Sequence, residues 1–250
     1  MKNLAALQVL GQTSFDSGAL SGLGAVAHQV SAPGTQRLII FQGDKVLQTM
    51  PVLIQPPQIM TADAASAAAP VSVQINLRDF LPDLGQIIPR QPQPDLQIPA
   101  QGYMVFQAPS GVSGYAVQLR TGDSDAQPPS FDSRELQNGD IFTTTILRPG
   151  RYSLVNAVTG AKGEIRVEYP VVGNTPYTPP DALNVQVTDQ GFQPNAIQLK
   201  PAQGLIFRIG NTRARIQIEL VEPDDGPSGV GVAATSPVRR WVNPSAPNQK

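Results

Sequence analysis

The stretch Ser14-Phe15-Asp16-Ser17 returns later in the chain as Ser130-Phe131-Asp132-Ser133. In the same register, without a gap, Pro33-Gly34 matches Pro149-Gly150. The shared order and spacing indicate an internal repeat. The first fifth of the chain therefore corresponds to the second half of its middle part.

A second set of matches involves the last third of the chain. Val185-Gln186-Val187 matches Val73-Gln74-Ile75, and Pro201-Ala202-Gln203-Gly204 matches Pro99-Ala100-Gln101-Gly102. The last third thus corresponds to the first half of the middle part. Because the two ends together carry the pattern of one whole repeat, we predict that they form one domain between them.

The composition favours an all-β protein. The 250 residues include 25 prolines and 22 glycines but only 15% charged residues, and apolar residues occur in short runs between turn signals. A net charge of -1 predicts no nucleic-acid partner. No stretch approaches the ~20 apolar residues of a membrane span, so we predict none. The absence of cysteine excludes disulfides and thiolate metal sites.

The repeat and two proline-bounded stretches divide the sequence into five parts. The stretch from Gln55 to Pro70 is rich in small residues, which is typical of a linker. We predict the second half of a split β-sandwich (1–54), a linker (55–70), a complete β-sandwich (71–170), a second linker (171–182), and the first half of the split sandwich with a polar tail (183–250).

The two predicted half-sandwiches would expose apolar strands unless they complete each other. The residues expected to pack in the split domain are Phe15, Leu38, Ile40, Phe192 and Phe207. Completion can occur within one chain or head-to-tail between chains, which would form a ring or a filament. Closure within one chain is favoured because it costs less than association.

The middle part resembles a cupredoxin. The resemblance rests on Gln137-Asn138-Gly139-Asp140-Ile141-Phe142 and on the segment from Leu147 to Val167, and a second partial match begins at Gly191-Phe192-Gln193-Pro194. It implies two cupredoxin-like or immunoglobulin-like β-sandwich units, one formed from the two ends. Cupredoxins bind copper through two histidines and a cysteine, and this chain has one histidine and no cysteine. We therefore predict no metal and no cofactor.

Other reactive groups carry no recognisable motif. No serine, cysteine or acid stands near His28 in a recognisable motif, which favours a surface or packing role. Glu222-Pro223-Asp224-Asp225-Gly226 could bind a hard cation, but a turn with solvated carboxylates explains it more simply. Arg239-Arg240-Trp241 favours partner contact or local packing. We predict no catalytic residues and no enzyme activity.

The sequence supports two hypotheses about function. The first is a non-enzymatic structural or assembly protein that associates with itself or with partner proteins, with a virion or another extracellular particle as a candidate setting. The alternative is a copper-free binding module that recognises a protein or glycan through its loops. Its first candidate loop is Arg90-Gln91-Pro92-Gln93-Pro94-Asp95-Leu96-Gln97, which has no counterpart of equal length near the C-terminus.

Overall fold

The protein is essentially all-β, as predicted. The computed structural model describes residues 11–57, 71–80, 96–108, 113–122, 127–169 and 177–224. Within these ranges, 17 strands form three sheets, and one 3-10 helix covers Leu77–Phe80. Among the same residues, no helix has the length and apolar character that a membrane span requires. The architecture is consistent with β-sandwich units.

Two five-stranded sheets have matching strand orders. Sheet 1 contains, in spatial order, β6 (Leu96–Pro99), β4 (Lys45–Gln55), β3 (Gly34–Gln42), β8 (Tyr115–Thr121) and β9 (Phe131–Asp132). Sheet 2 contains, in the matching order, β15 (Ala196–Leu199), β12 (Lys162–Val167), β11 (Gly150–Asn156), β17 (Ile216–Pro223) and β1 (Ser14–Asp16).

The third sheet, the central sheet, has seven strands. In order they are β5 (Ser72–Asn76), β7 (Tyr103–Gln107), β2 (Gly24–Gln29), β10 (Ile141–Thr145), β16 (Gly204–Ile209), β13 (Leu183–Thr188) and β14 (Gly191–Gln193). At its middle, β2 and β10 run antiparallel with Val26 opposite Phe142. These two residues also correspond in the repeat, so an approximate two-fold relation between the repeats passes through this pair.

The repeats, which we define as residues 14–121 (repeat 1) and 130–223 (repeat 2), exchange their first strands. β1 of repeat 1 pairs with β17 of repeat 2, and β9 of repeat 2 pairs with β8 of repeat 1. Phe15 lies opposite Ile218, and Phe131 lies opposite Leu119. Each five-stranded sheet is therefore completed by a strand from the other repeat.

The strand pairing groups the chain differently from the predicted boundaries 1–54, 71–170 and 183–250. β3 pairs with β8, and β4 pairs with β6, so most of the N-terminal part joins the strands that follow it. The two ends of the chain meet where β1 pairs with β17. Internal repetition shows which strands are equivalent but not which copies pair, because either pairing presents the same apolar pattern.

The turn before β7 and β16 shows that the structural repeat is offset from the four-residue sequence match. Gln101 and Ala202 both have positive φ, 68° and 55°. The Gly102 N–H donates to Pro99 O at 3.0 Å, and the Gln203 N–H donates to Lys200 O at 3.1 Å. Gln101 therefore corresponds to Ala202, one residue from the match read in the sequence, because backbone conformation sets the equivalence.

The exchanged strands are fixed by the same contacts in both repeats. The Ser17 N–H donates to Ile216 O, and the Ile216 N–H donates back to Ser17 Oγ, both at 3.0 Å. Ser133 and Val117 form the same two bonds, also at 3.0 Å. Both serines are fully buried, so each hydroxyl satisfies a backbone donor that water does not reach.

Each exchanged strand also carries a partly buried aspartate next to its phenylalanine. Asp16 accepts from Arg215 Nη2 at 2.9 Å and from Gln217 Nε2 at 3.0 Å. In the other repeat, Asp132 accepts from Gln118 Nε2 at 2.6 Å. These bonds join side chains of different repeats, so the strand exchange has both an apolar and a polar component.

Phenylalanine rings mark the core between each outer sheet and the central sheet. Phe131 of sheet 1 stacks on Phe106 of the central sheet with centroids 5.8 Å apart. Within the central sheet, Phe207 stacks on Phe142 at 5.8 Å and meets Phe192 edge-on at 6.3 Å. A Cβ built on Gly163 of sheet 2 would lie 3.4 Å from the Phe192 ring, which places sheet 2 against this group.

We expect Phe15→Ala and Phe131→Ala to destabilise the protein to a similar extent. Each side chain is 2% exposed, and truncating a buried phenylalanine costs about 3–5 kcal/mol. Urea unfolding followed by circular dichroism would measure both losses. Tyr177→Ala serves as the control because Tyr177 is exposed. A large loss for one phenylalanine variant alone would contradict the equivalence of the exchanged strands.

Asp16 should make the stability depend on pH. Burial raises its pKa, but hydrogen bonds from Arg215, Gln217 and the Gly18 N–H outweigh this effect and hold the pKa below its ordinary value of 3.8. A lowered folded-state pKa stabilises the fold above the unfolded pKa, and this contribution is lost as the pH falls through the folded pKa.

We therefore expect the free energy of unfolding to fall more steeply from about pH 5 downward in the wild type than in Asp16→Asn. Urea titrations at a series of pH values would measure the two slopes. Asp44→Asn, in the exposed β3–β4 turn, is the matched control and should keep the wild-type slope. Equal slopes for wild type and Asp16→Asn would contradict the assignment.

Candidate functional site

A pocket of about 190 Å³ opens at the edge of the sandwich that sheet 1 forms with the central sheet. Its lining comes from β4, β5, the 3-10 helix and β6. The lining residues are Met50, Gln74, Ile75, Asn76, Asp79, Phe80 and Leu96. Ile75 and Phe80 are each 6% exposed and give the pocket an apolar floor. Ligand pockets for drug-sized molecules are about 300–1,000 Å³, so this one fits a single large side chain or a small ring better.

The corresponding place in repeat 2 is filled. The register of the β3–β4 and β11–β12 hairpins makes Gly163 the counterpart of Met50. A Cβ on Gly163 would lie 2.7 Å from Asn195 O, so the short link from β14 to β15 runs directly over this glycine. In repeat 1 the corresponding connection between Phe80 and Leu96 has 15 residues, 81–95, which lie outside the described part of the chain.

The pocket borders the longest of the outermost strands in the described residues. β5 has five residues and is the last strand of the central sheet, whereas the other outermost strands have two to four. Its counterpart, β13, is covered by β14 over residues 186–188, with Val187 opposite Phe192. An uncovered strand edge offers backbone donors and acceptors to another strand. The uncovered edge of β5 and the apolar pocket thus lie side by side.

Polar groups at the pocket are concentrated on its rim. Asp79 is the one charged residue in the lining, and it is exposed. Asn76 accepts the Arg78 N–H at 3.1 Å, which caps the start of the 3-10 helix and fixes the rim next to Asp79. An apolar floor with one carboxylate at the rim favours a ligand that combines an apolar group with a positive charge.

A second cluster lies at the junction of the repeats. His28 Nδ1 and Asp140 Oδ1 are 2.7 Å apart, and the His28 ring stacks on Phe131 with centroids 4.4 Å apart. Asp140 also accepts the Gln137 N–H at 2.7 Å. On the other side of the β2–β10 pair, Gly24 lies opposite Thr144, whose buried hydroxyl has no hydrogen-bond partner in the described residues.

The chemistry available to the His28 cluster is limited. Asp140 is 3% exposed and His28 is partly buried, so the pair lies largely inside the junction. A histidine–aspartate pair can activate a nucleophile only when a hydroxyl or thiol lies within hydrogen-bond reach of the histidine. Among the described residues, Asp140 is the one side chain that His28 contacts by a hydrogen bond. The pair therefore joins the repeats.

The described residues offer no candidate metal site. No three His, Asp or Glu side chains within these ranges are placed to hold an ion. The acidic stretch at Glu222 is partly explained by ion pairing, since Arg151 Nε lies 3.2 Å from Glu222 Oε2. Asp225 and Gly226 of that stretch lie outside the described residues.

All five residues predicted to pack in the split domain are buried. Phe192 and Phe207 contact each other in the central sheet, and Phe15 lies in sheet 2. Leu38 and Ile40 instead belong to sheet 1, opposite residues of β8. The structure thus brings Phe192 and Phe207 into contact, places Phe15 in sheet 2, and places the two aliphatic members in sheet 1.

The predicted binding loop is described only at its end. Leu96 lines the pocket, and Gln97 accepts from Gln55 Nε2 at 2.8 Å. Residues 90–95 lie outside the described part of the chain, as do Arg239, Arg240 and Trp241.

Sequence reasoning missed Asp140 as a partner of His28 and Asp79 as a pocket residue. In the sequence, Asp140 stands out only as part of the segment Gln137-Asn138-Gly139-Asp140-Ile141-Phe142, on which the cupredoxin resemblance rests. Its link to His28 follows from the β2–β10 register, which the repeat spacing alone does not provide. A clue to the pocket was present in the different lengths of the connections before β6 and β15.

No protein-family model, curated protein or solved structure matches this chain. The candidate sites therefore rest on their own geometry.

We expect Asp140→Ala to destabilise the junction of the repeats. The substitution removes the acceptor for His28 and for the Gln137 N–H, and leaving buried donors unpaired costs about 1–3 kcal/mol. Urea unfolding of Asp140→Ala, His28→Phe and the double variant would give the coupling energy. Additive losses would show that the two side chains do not interact energetically.

Proposed function

We propose that the protein is a non-enzymatic structural protein that acts as a unit of a larger assembly, with a virion or another particle as the candidate setting. The observation that carries the proposal is the reciprocal exchange of β1 and β9. Each five-stranded sheet needs a strand of the other repeat, and the central sheet runs across both. The repeats therefore cannot separate without breaking both sheets.

The architecture supports a mechanical role better than a catalytic one. Exchanged strands and a shared sheet resist relative motion of the repeats, whereas many enzymes use loop or domain closure. The His28–Asp140 pair links the two repeats at their junction. The copper-free cupredoxin-like character of the sandwiches is part of the same proposal and rests on the sequence resemblance.

A binding module is the second candidate, and the pocket beside β5 favours it. An extended segment that adds to a sheet edge and places a side chain in a neighbouring pocket is a common mode of peptide recognition. Such binding is also a means of assembly. As an assembly protein the chain would bind another copy of itself or partner proteins of the assembly, whereas as a binding module it would recognise an unrelated protein or a glycan.

We expect the purified protein to form species larger than the 26.6 kDa single chain as its concentration rises. Light scattering across a wide concentration range would give the absolute mass, and negative-stain electron microscopy would show whether the species are rings, filaments or irregular aggregates. Regular particles would support the assembly role. A mass of 26.6 kDa at every concentration would contradict it.

A further inference from the structure

We propose that the pocket beside β5 binds the C-terminal segment from Val238 to Asn243 of a second copy, with Trp241 in the pocket. This inference rests on the proposed assembly function and specifies which parts of two neighbouring chains would be in contact. The segment would add to β5 as a strand, and the chains would join head to tail.

β14 shows how a strand can cover this kind of edge. In repeat 2 it pairs antiparallel with β13 and directs Phe192 into the core opposite Val187. Phe192 is 4% exposed and contacts the Phe207 ring. In repeat 1, Ile75 of β5 corresponds to Val185, because Ile75 lies opposite Phe106 as Val185 lies opposite the equivalent Phe207. Residues 186–188, which β14 covers, therefore correspond to Asn76 and the start of the 3-10 helix, and the described residues contain no strand on the outer side of β5. A segment that covers β5 therefore needs an extended conformation, and an apolar side chain on that segment would fill the neighbouring pocket.

The size of the pocket matches an aromatic ring. An engineered protein cavity of about 150 Å³ binds benzene, and this pocket measures about 190 Å³. Trp241 is the only tryptophan of the chain. Its indole provides the type of aromatic anchor that is enriched at the centres of protein interfaces.

Charge complementarity favours the same segment. Arg239 and Arg240 precede Trp241, and Asp79 is the one charged residue in the pocket lining. A carboxylate beside an apolar pocket attracts a cationic segment and fixes its direction. The N-terminal residues 1–10 contain leucines but no aromatic residue and a single lysine, so they match the pocket less well.

The segment also lies far enough along the chain to reach a neighbouring molecule. Pro237 and Pro244 bound the stretch from Val238 to Asn243, and a strand formed by this stretch on docking would have about the length of β5. Thirteen residues, 225–237, separate it from the last described residue, Asp224. When extended they span about 45 Å, which exceeds the size of a small domain and allows the segment to reach a neighbouring molecule.

The test uses the full-length chain, with Trp241 as its own fluorescent probe. We expect the mass from light scattering to rise with concentration and the Trp241 emission to shift to shorter wavelength in step. Trp241→Ala and Asp79→Arg should each weaken association by about thirty-fold or more, as expected for a central anchor and its charged partner. Asp189→Arg is the matched control, since Asp189 is exposed at the β13–β14 turn, and should associate as the wild type does.

A mixture of the two impaired variants tests the direction of the contact. Asp79→Arg keeps an intact tail, and Trp241→Ala keeps an intact pocket, so one productive contact can form between them. We expect the mixture to stop at two chains, whereas each variant alone stays at the single-chain mass of 26.6 kDa.

Three outcomes would overturn the inference. A short-wavelength Trp241 emission at a constant mass of 26.6 kDa would show that Trp241 is shielded from water within its own chain. Undiminished association of both variants would assign assembly to another surface and leave the proposed function intact. A constant single-chain mass with a water-exposed Trp241 emission would overturn the proposed function as well.

Discussion

The exchange of one short strand between the repeats is the constraint on which the rest of the structure depends. Ser17 and Ser133 each close a pair of 3.0 Å hydrogen bonds with a strand of the other repeat. A strand of two or three residues is too short to hold its place by backbone pairing alone. The buried phenylalanine and the aspartate beside each serine supply the missing specificity, because an apolar side chain fixes the face and a polar one fixes the register.

The two repeats follow an approximate two-fold relation at the centre of the central sheet, but the polar contacts on the two sides of that centre differ. Val26 and Phe142 meet at the centre, but on one side His28 binds Asp140 and on the other Gly24 faces Thr144. Because both repeats lie on one chain, a substitution in one is not copied in the other. Two repeats joined in one chain can therefore form a polar contact on only one side of the two-fold axis. An exact two-fold dimer cannot, because its symmetry repeats every contact on the other side.

The sequence predicted the fold class and the equivalence of the strands, because period-two patterns and the Ser-Phe-Asp-Ser motif are local features. It did not predict how the strands group. β3 could complete either sandwich on its apolar pattern alone, and its pairing with β8 joins residues about 80 apart, which no local pattern specifies. The candidate pocket was signalled only by a difference in connection length, since its lining comes from four separate elements.

The strand exchange also limits where a larger assembly can form. Since β1 and β9 already complete the five-stranded sheets within one chain, their exchange is not available to build a polymer without opening the fold. Addition to an outer edge requires no such opening, so it is the less costly route. Natural sheets protect edges by keeping their outer strands short, and all outermost strands in the described residues except β5 have four residues or fewer. The length of β5, together with the adjacent pocket, therefore makes this edge the most suitable one for a partner strand.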